Sequence, residues 1–304
     1  MTSNGAGRRV AVVLSSPRAG STWLSRMLKS HPELEVHGQI TNDNHRLYLL
    51  APMRSLNPFG EDPLAFEAAA GPAMPLRVRV LRGMYRNADP GRALVIATPS
   101  ASAFVPVIEA AYPDARYVHL YRDPMDTVAS FRGFMARQSA GAAAQYRARR
   151  RHGRLEAARS VGAHWFHSFR WSRLPQPGYL AMRPHGFREA TRLPPLEFLA
   201  WYYSAYEHDI RAALAHVPGD RTLKCRYEDL VTAYEPTMTG LLEFMGVAPL
   251  SSFIEETAKT VRASSLGKHI ETLSPTEAEE LRGHLSRLGV ELGPGERLPA
   301  EGTA

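Results

Sequence analysis

Residues 10–23 read VAVVLSSPRAGSTW, an apolar run followed by a short polar loop and the start of an amphipathic segment. This order predicts a buried strand, a tight loop and a helix. A loop in that position directs backbone N–H groups and a helix N-terminus towards an anion. Gly20 would let the backbone approach a ligand closely, and Ser21 and Thr22 would add hydroxyl donors. A plain glycine–serine turn is the simpler alternative, but Arg18 within the loop favours a phosphate-like ligand.

The loop differs from the phosphate loop of ATPases. The pattern G-x-x-x-x-G-K-[ST] would require Gly at Ser15 and Lys at Ser21. The apolar run at residues 117–121 also ends without an Asp that could hold Mg²⁺. A P-loop nucleotide kinase or NTPase is therefore the alternative enzyme class, and Mg²⁺-dependent ATP hydrolysis would support it.

A second segment, residues 115–130, reads ARYVHLYRDPMDTVAS, a β-rich run that ends at Arg122 and leads into a helix. Together with PRAGSTW it resembles the sulfotransferases that use 3′-phosphoadenosine 5′-phosphosulfate (PAPS). The resemblance implies that Arg122 and Ser130 bind the 3′-phosphate. A guanidinium at the carboxyl end of a strand suits that role, because open α/β sheets bind ligands there. It also implies that the first loop holds the 5′-phosphosulfate through the following residues: Arg18, Ala19, Gly20, Ser21, Thr22 and Trp23.

Two weaker matches follow in the same order as in the family. Residues 226–230 read RYEDL and look like a family segment whose Tyr, here Tyr227, lies near the adenine. Residues 264–269 read SSLGKH and are similar to the C-terminal S-x-G-R-W loop, so Gly267 and Lys268 would bring a cation to the 3′-phosphate. The resemblance covers about residues 10–290 and is closer to the bacterial and Golgi-type branch than to the cytosolic aryl branch.

The expected catalytic residues are Arg18 and His37. The resemblance places Arg18 beside the bridging oxygen, where it would stabilise the leaving 3′-phosphoadenosine 5′-phosphate (PAP). In the related branch a Glu follows the second strand, but Gln39 stands there and cannot take a proton. The His of the other branch is missing too, because residues 97–100 read ATPS.

His37 is the candidate base because it lies two residues before Gln39, on the same face of an extended strand. Its imidazole suits general-base catalysis near neutral pH, although an ordinary hydrogen-bonded histidine is an equal alternative. Asp43 and His45 are the next candidates. We expect Gln39 and His45 to lie on the substrate side of the site.

Periodicity predicts an α/β protein with a P-loop-like three-layer fold, a central parallel β-sheet flanked by helices. Residues 8–294 would form a single sulfotransferase domain, with flexible tails at 1–7 and 295–304. The predicted strands are 9–15, 34–38, 93–97, 116–121 and 221–226, and the predicted helices are 21–30, 102–111, 124–136, 196–216, 234–246 and 275–288. Residues 52–75 show poor periodicity and are either a connection or part of an acceptor pocket.

The net charge of +7 is unevenly distributed. Residues 132–192 contain thirteen arginines and two glutamates, which predicts a basic helical insertion at about 132–195. It is either a solvated helical surface or a device that steers an anionic donor or acceptor to the site. Nucleic-acid binding is a third option, but no recognisable motif supports it and we expect no such partner.

Composition limits the remaining classes. A single cysteine, Cys225, excludes an internal disulfide framework, and its apolar neighbours predict a buried structural thiol. We expect no metal site and no transmembrane segment, since His164 and His167 lack acidic neighbours and the apolar runs are short. We therefore expect a cytoplasmic enzyme.

The acceptor would be a hydroxyl or amine of a small molecule, lipid or glycan. Aromatic residues at 165–171 and 201–206 would line its pocket or belong to the core. Because Gln39 replaces the expected base, the remaining alternative is a non-catalytic protein that binds a nucleotide or a nucleic acid.

Overall fold

The computed structural model describes residues 8–38, 74–138, 184 and 186–292. Five strands form one sheet in the order β2-β3-β1-β4-β5, and every neighbouring pair is parallel. The strands are β1 (Val10–Leu14), β2 (Leu34–Gly38), β3 (Ala93–Ala97), β4 (Arg116–Tyr121) and β5 (Thr222–Arg226). All five predicted strands are confirmed within one residue at either end, and so is the α/β class with its central parallel sheet.

Eleven α-helices are formed within the described residues. They are α1 (Ser21–Leu28), α2 (Met74–Met84), α3 (Val105–Ala111), α4 (Pro124–Gln138), α5 (Phe187–Ala190), α6 (Pro195–Leu214), α7 (Asp229–Thr232), α8 (Tyr234–Phe244), α9 (Ser251–Ala258), α10 (Lys268–Thr272) and α11 (Pro275–Arg287). Short 3₁₀ segments occupy Pro99–Phe104, Gly219–Arg221 and Ala263–Ser265.

All six predicted helices are present, but one is irregular at its start. The segment predicted as a helix at 102–111 begins in the 3₁₀ turn Pro99–Phe104 and becomes α-helical only at Val105. Pro106 then occupies the first turn, where its missing N–H is not needed. The sequence did not predict α2, α5, α7, α9 or α10.

The sheet separates two hydrophobic cores. Residues of β1 alternate between them: Val10, Val12 and Leu14 pack with apolar residues of α2, α3, α4, α6 and α11. Ala11 and Val13 pack with apolar residues of α1, α8 and α9 on the opposite face. Helices therefore cover both faces, as a parallel sheet of Val, Ile and Leu requires, and the three-layer arrangement leaves the carboxyl ends of the strands for a ligand.

Several sequence expectations fall on residues that the structure does not describe. These are the two tails, most of the basic insertion, the segment 52–73, and the candidate residues Gln39, Asp43 and His45. The single domain spanning 8–294 therefore stays a prediction. In the described part of the chain, every helix is too short or too polar to cross a bilayer.

Candidate functional site

The loop between β1 and α1 is tightly wound. Ser15 and Ser16 are fully buried, and their hydroxyl oxygens lack a hydrogen-bond partner among the described residues. The Ala19 N–H donates to the Ser16 carbonyl at 3.2 Å. Arg18 has a φ of 77°, and the left-handed conformation costs a non-glycine residue about 1–2 kcal/mol. Strain of this kind is concentrated at functional sites.

Gly20 brings the loop against the aromatic ring of Tyr227. Its φ is 105°, and a Cβ atom at this position would overlap that ring. Gly20 precedes α1, whose first turn has no acidic residue and no side-chain cap from Gly20. The N-terminal end of a helix carries a partial positive charge, so this end of α1 favours an anion.

The exposed Arg18 side chain lies along α4. Its Nε is 3.4 Å from the Ser130 Oγ, and its guanidinium carbon is 5.1 Å from the centre of the Phe134 ring. Arg18 and Ser130, which the sequence assigned to opposite ends of the donor nucleotide, are thus in contact.

Arg122 follows β4 and connects the loop to the C-terminal part of the site. Its Nη1 donates to the Arg18 carbonyl at 3.4 Å, and its Nη2 donates to the Ser265 carbonyl. The guanidinium carbon lies 4.8 Å from the centre of the Tyr227 ring. Although Arg122 is only 4% exposed, its Nε has no hydrogen-bond partner among the described residues. A buried, unused donor on a cation fits an anionic ligand.

Tyr227 supports both the loop and Arg122. Its backbone N–H donates to the Tyr121 carbonyl at 2.8 Å, and its ring meets that of Trp23 edge-on at 5.5 Å between centres. Tyr227 is 6% exposed. Only a small part of the Tyr227 side chain is therefore exposed to contact an adenine, the role that the sequence predicted for it.

The C-terminal loop is attached to the start of α4 through Asp126. The carboxylate accepts hydrogen bonds from the Gly267 N–H at 2.8 Å, the His269 N–H at 3.0 Å and the His269 Nδ1 at 2.7 Å. Burial raises the pKa of Asp126, but hydrogen bonds from His269 and the charge of Arg122 outweigh it and hold this pKa below its ordinary value. The Gly267 N–H, predicted to bind the nucleotide, is thus bound to Asp126 within the protein.

His37 lies on β2 and forms a pair with Glu35. Its Nε2 is 2.8 Å from the Glu35 Oε1, and its ring meets the Tyr85 ring at 5.2 Å between centres. Burial raises the pKa of Glu35, but hydrogen bonds from His37 and from the Asp89 N–H lower it below its ordinary value. Gly38 ends the strand with a φ of 134°, where a Cβ atom would overlap the Ala97 carbonyl.

The structure joins most of the predicted nucleotide-binding residues by contacts at the carboxyl end of the sheet. Arg18 contacts Ser130 and Arg122, whereas Tyr227 contacts Gly20, Trp23 and Arg122. His37 belongs instead to the His37–Glu35 pair on β2.

Sequence reasoning missed Asp126 and His269. Asp126 follows Arg122 by four residues, a spacing that suggests an ion pair, and the two are 3.3 Å apart. Asp123, Asp126 and His269 lie close enough together to ligate a metal ion. The Asp126 oxygens already accept N–H donors, however, so this group fits hydrogen bonding better than ion binding.

Part of the predicted aromatic acceptor set belongs to the core. Tyr202, Tyr203 and Tyr206 are buried, whereas Trp201 lines an open groove of about 420 Å³ between α6 and the end of α11. The groove is lined by Pro184, Trp201, Ser204, Ala205, His208, Asp209 and Leu288. The aromatic residues at 165–171 lie outside the described residues.

Three solved structures of sulfotransferases are similar to this chain, and the first of them shares the fold. The sulfotransferase domain from the curacin biosynthetic pathway is 17% identical, with a TM-score of 0.51 over 94% of this chain and 99% of that chain. A sulfotransferase from Alicyclobacillus acidocaldarius is 16% identical, with a TM-score of 0.46 over 93% of each chain. A mouse sulfotransferase complexed with PAP is 11% identical, with a TM-score of 0.43 over 92% of this chain and 83% of that chain.

No curated protein matches the chain significantly. The family model described as the sulfotransferase family matches residues 11–176, which is more than half of the sequence. This match includes both the loop that carries Arg18 and the strand that leads to Arg122. The chain therefore belongs to the sulfotransferase family.

Proposed function

We propose that this sulfotransferase moves a sulfuryl group from PAPS to a hydroxyl or amine of a small-molecule, lipid or glycan acceptor. The observation that carries the proposal is that Arg18 contacts both Ser130 and Arg122 beside the carboxyl ends of β1 and β4. Two guanidinium groups beside a helix N-terminus suit a ligand with anionic groups at two places.

The described residues fit such a nucleotide. Arg18 and the first-turn N–H groups of α1 would hold the 5′-phosphosulfate, because a helix N-terminus without an acidic residue favours an anion. Arg122, Ser130 and Lys268 would hold the 3′-phosphate. The unused Nε of Arg122 and the unpaired hydroxyls of Ser15 and Ser16 support this fit, since buried polar atoms normally have partners.

Arg18 has the central catalytic role in this proposal. PAPS supplies the sulfuryl group when bound and leaves as PAP. The guanidinium of Arg18 stabilises the negative charge that grows on the leaving oxygen, and the N-terminal end of α1 acts on the same charge. The end of α1 is fixed by the fold before the reaction and needs little reorganisation, and contacts with Ser130 and Phe134 hold the Arg18 side chain beside α4.

His37 would accept the proton of the attacking hydroxyl or amine. Glu35, whose pKa is lowered, remains ionised at neutral pH and accepts a hydrogen bond from the His37 Nε2 when that atom carries the proton. In this tautomer Nδ1 is the basic atom of the ring. The pair thus resembles the oriented bases found in other enzymes.

Calorimetry and a transfer assay together test the proposal. We expect PAP to bind in the presence of EDTA, more tightly than adenosine 5′-monophosphate (AMP). We also expect ³⁵S-labelled PAPS to sulfate at least one member of a panel of phenols, alcohols, sugars, lipids and amines, with products identified by mass. Absence of PAP binding together with tight binding of ATP and Mg²⁺ would instead favour the kinase or NTPase class. PAP binding without transfer to any acceptor would favour a non-catalytic nucleotide-binding protein.

A further inference from the structure

Asp126 connects three parts of the chain that are distant in sequence. Its Oδ2 accepts from the Arg122 Nη2 at 3.3 Å and from the Gly267 N–H at 2.8 Å. Its Oδ1 accepts from the backbone N–H of His269 at 3.0 Å and faces the His269 Nδ1 at 2.7 Å. The Asp126 N–H in turn donates to the Asp123 Oδ1 at 2.9 Å. Both carboxylate oxygens are thus used within the protein.

A buried carboxylate is stable only when donors surround it, and Asp126 is 2% exposed. Its donors are a guanidinium, an imidazole and two backbone N–H groups. Hydrogen bonds with charged partners are the stronger ones. Removal of Asp126 would take one acceptor from each of these donors, and Arg122 would keep only its hydrogen bonds to the Arg18 and Ser265 carbonyls.

The hydrogen bonds that join Asp126 to Gly267 and His269, called the clasp below, lie at the start of α10. Gly267 precedes this helix with a φ of 67° and provides no side-chain cap, so Asp126 supplies the acceptor that a cap normally provides. Lys268 stands between two residues that both bind Asp126. The backbone that carries the Lys268 side chain is therefore fixed relative to Arg122.

We propose that Asp126 is the positioning residue that makes the site selective for nucleotides with a 3′-phosphate, with His269 as its partner. Asp126 holds Arg122 and the backbone of Lys268 in a fixed arrangement and does not itself touch the nucleotide. The inference rests on the proposed function, because it assigns the 3′-phosphate to Arg122 and Lys268. It predicts that loss of the clasp weakens binding of the 3′-phosphate and spares the remainder of the nucleotide.

The test compares PAP with AMP, which lacks the 3′-phosphate, by calorimetry in EDTA. For Asp126→Ala we expect PAP affinity to fall by about 10–100-fold, as when buried hydrogen bonds to charged groups are lost, while AMP affinity is unchanged. His269→Ala should cause a smaller loss in the same direction. Asp114→Asn, in the exposed turn before β4, is the matched control and should leave both affinities unchanged.

The wild-type measurement separates the two proposals. A wild-type protein that binds PAP and AMP equally would overturn the 3′-phosphate site itself. A wild-type preference for PAP that survives in Asp126→Ala, or an equal loss of PAP and AMP affinity, would overturn the positioning role alone. Thermal unfolding checks that each variant is folded. If Asp126→Ala does not fold, the ratio of PAP affinity to AMP affinity in His269→Ala decides whether the clasp positions the 3′-phosphate site.

Discussion

Arg18 combines a strained backbone with an exposed cationic side chain, and both features are explained if the loop is shaped for catalysis. We expect Arg18→Ala to lower turnover by about 10²–10³-fold, the loss typical of one preorganised donor to a developing charge. Labelled-sulfate transfer at saturating PAPS measures this effect. The matched control is Arg26→Ala, an exposed position in the last turn of α1. Near-wild-type turnover of Arg18→Ala would remove Arg18 from the mechanism.

Gly20 is the position where the loop has least room. In Gly20→Ala the methyl group meets the Tyr227 ring in a conformation that disfavours any side chain. We expect a loss of about 1–3 kcal/mol in the free energy of unfolding, the usual cost of overpacking, and weaker PAP binding. Urea denaturation measures the first effect.

Gly240→Ala is the control for Gly20→Ala, because a Cβ atom there meets nothing within 4 Å on helix α8. Removing a glycine from a helix interior should stabilise the protein by about 1 kcal/mol. Equal responses of the two variants would show that the Tyr227 contact does not restrict the loop.

At the scale of elements, β2 carries the candidate base. We expect His37→Ala to abolish sulfate transfer and to leave PAP affinity unchanged, because β3 separates β2 from β1, the strand that leads to the Arg18 loop. Glu35→Gln keeps the shape of the pair but removes its charge, and should reduce turnover less than His37→Ala does. Turnover and PAP affinity, measured for each variant, show whether the substitution affects the chemical step or nucleotide binding. Full-rate transfer by His37→Ala would move the search to Asp43 and His45.

The elements that the sequence predicted correctly share a strong local signal. Strands β1 and β3 are short apolar runs, and β2 alternates apolar and polar residues. The predicted helices show helical periodicity or clear caps; Ser274 and Glu277 form a capping box on α11. Helix α2 was missed because MPLRVRVLRGM alternates apolar and basic residues, which is not the helical pattern. In α2 the buried residues are Leu81 and Arg77, so tertiary packing rather than amphipathicity accounts for it.

Site residues, too, could be predicted only where a local sequence signal marks them. Arg18 and Arg122 were predicted from the family resemblance and from their places after predicted strands, and the structure shows them in contact at the carboxyl ends of β1 and β4. The clasp of Asp126 and His269 was not found, since its members are 143 residues apart and only the fold brings them together. The base was not determined, because the family's Glu is replaced and the neighbouring candidates fall outside the described residues.

At the scale of the whole molecule, the reactivity of the buried Cys225 thiol measures unfolding of the protein. It lies on β5, is 4% exposed, and packs in the core beneath α8 and α9. Burial, with a smaller contribution from the charge of Asp229, raises its pKa from an ordinary value of 9.0 to about 12. The native state therefore keeps the thiol neutral, whereas the unfolded chain ionises it above pH 9. Stability should thus be retained below pH 9 and decrease as the pH rises from 9 towards 12.

We therefore expect the single cysteine of the chain to react with a thiol reagent at pH 8 only through unfolding. Saturating PAP should slow the reaction, because a ligand that binds the native state alone lowers the unfolded population in proportion to its concentration over Kd. With an aromatic disulfide as the thiol reagent, the absorbance of the released aromatic thiolate measures the rate. Cys225→Ser, which has no thiol, is the blank. Fast labelling of native protein would show that β5 opens locally. Labelling that is slow but unaffected by PAP would show that the nucleotide does not stabilise the fold that joins β1, β4 and β5.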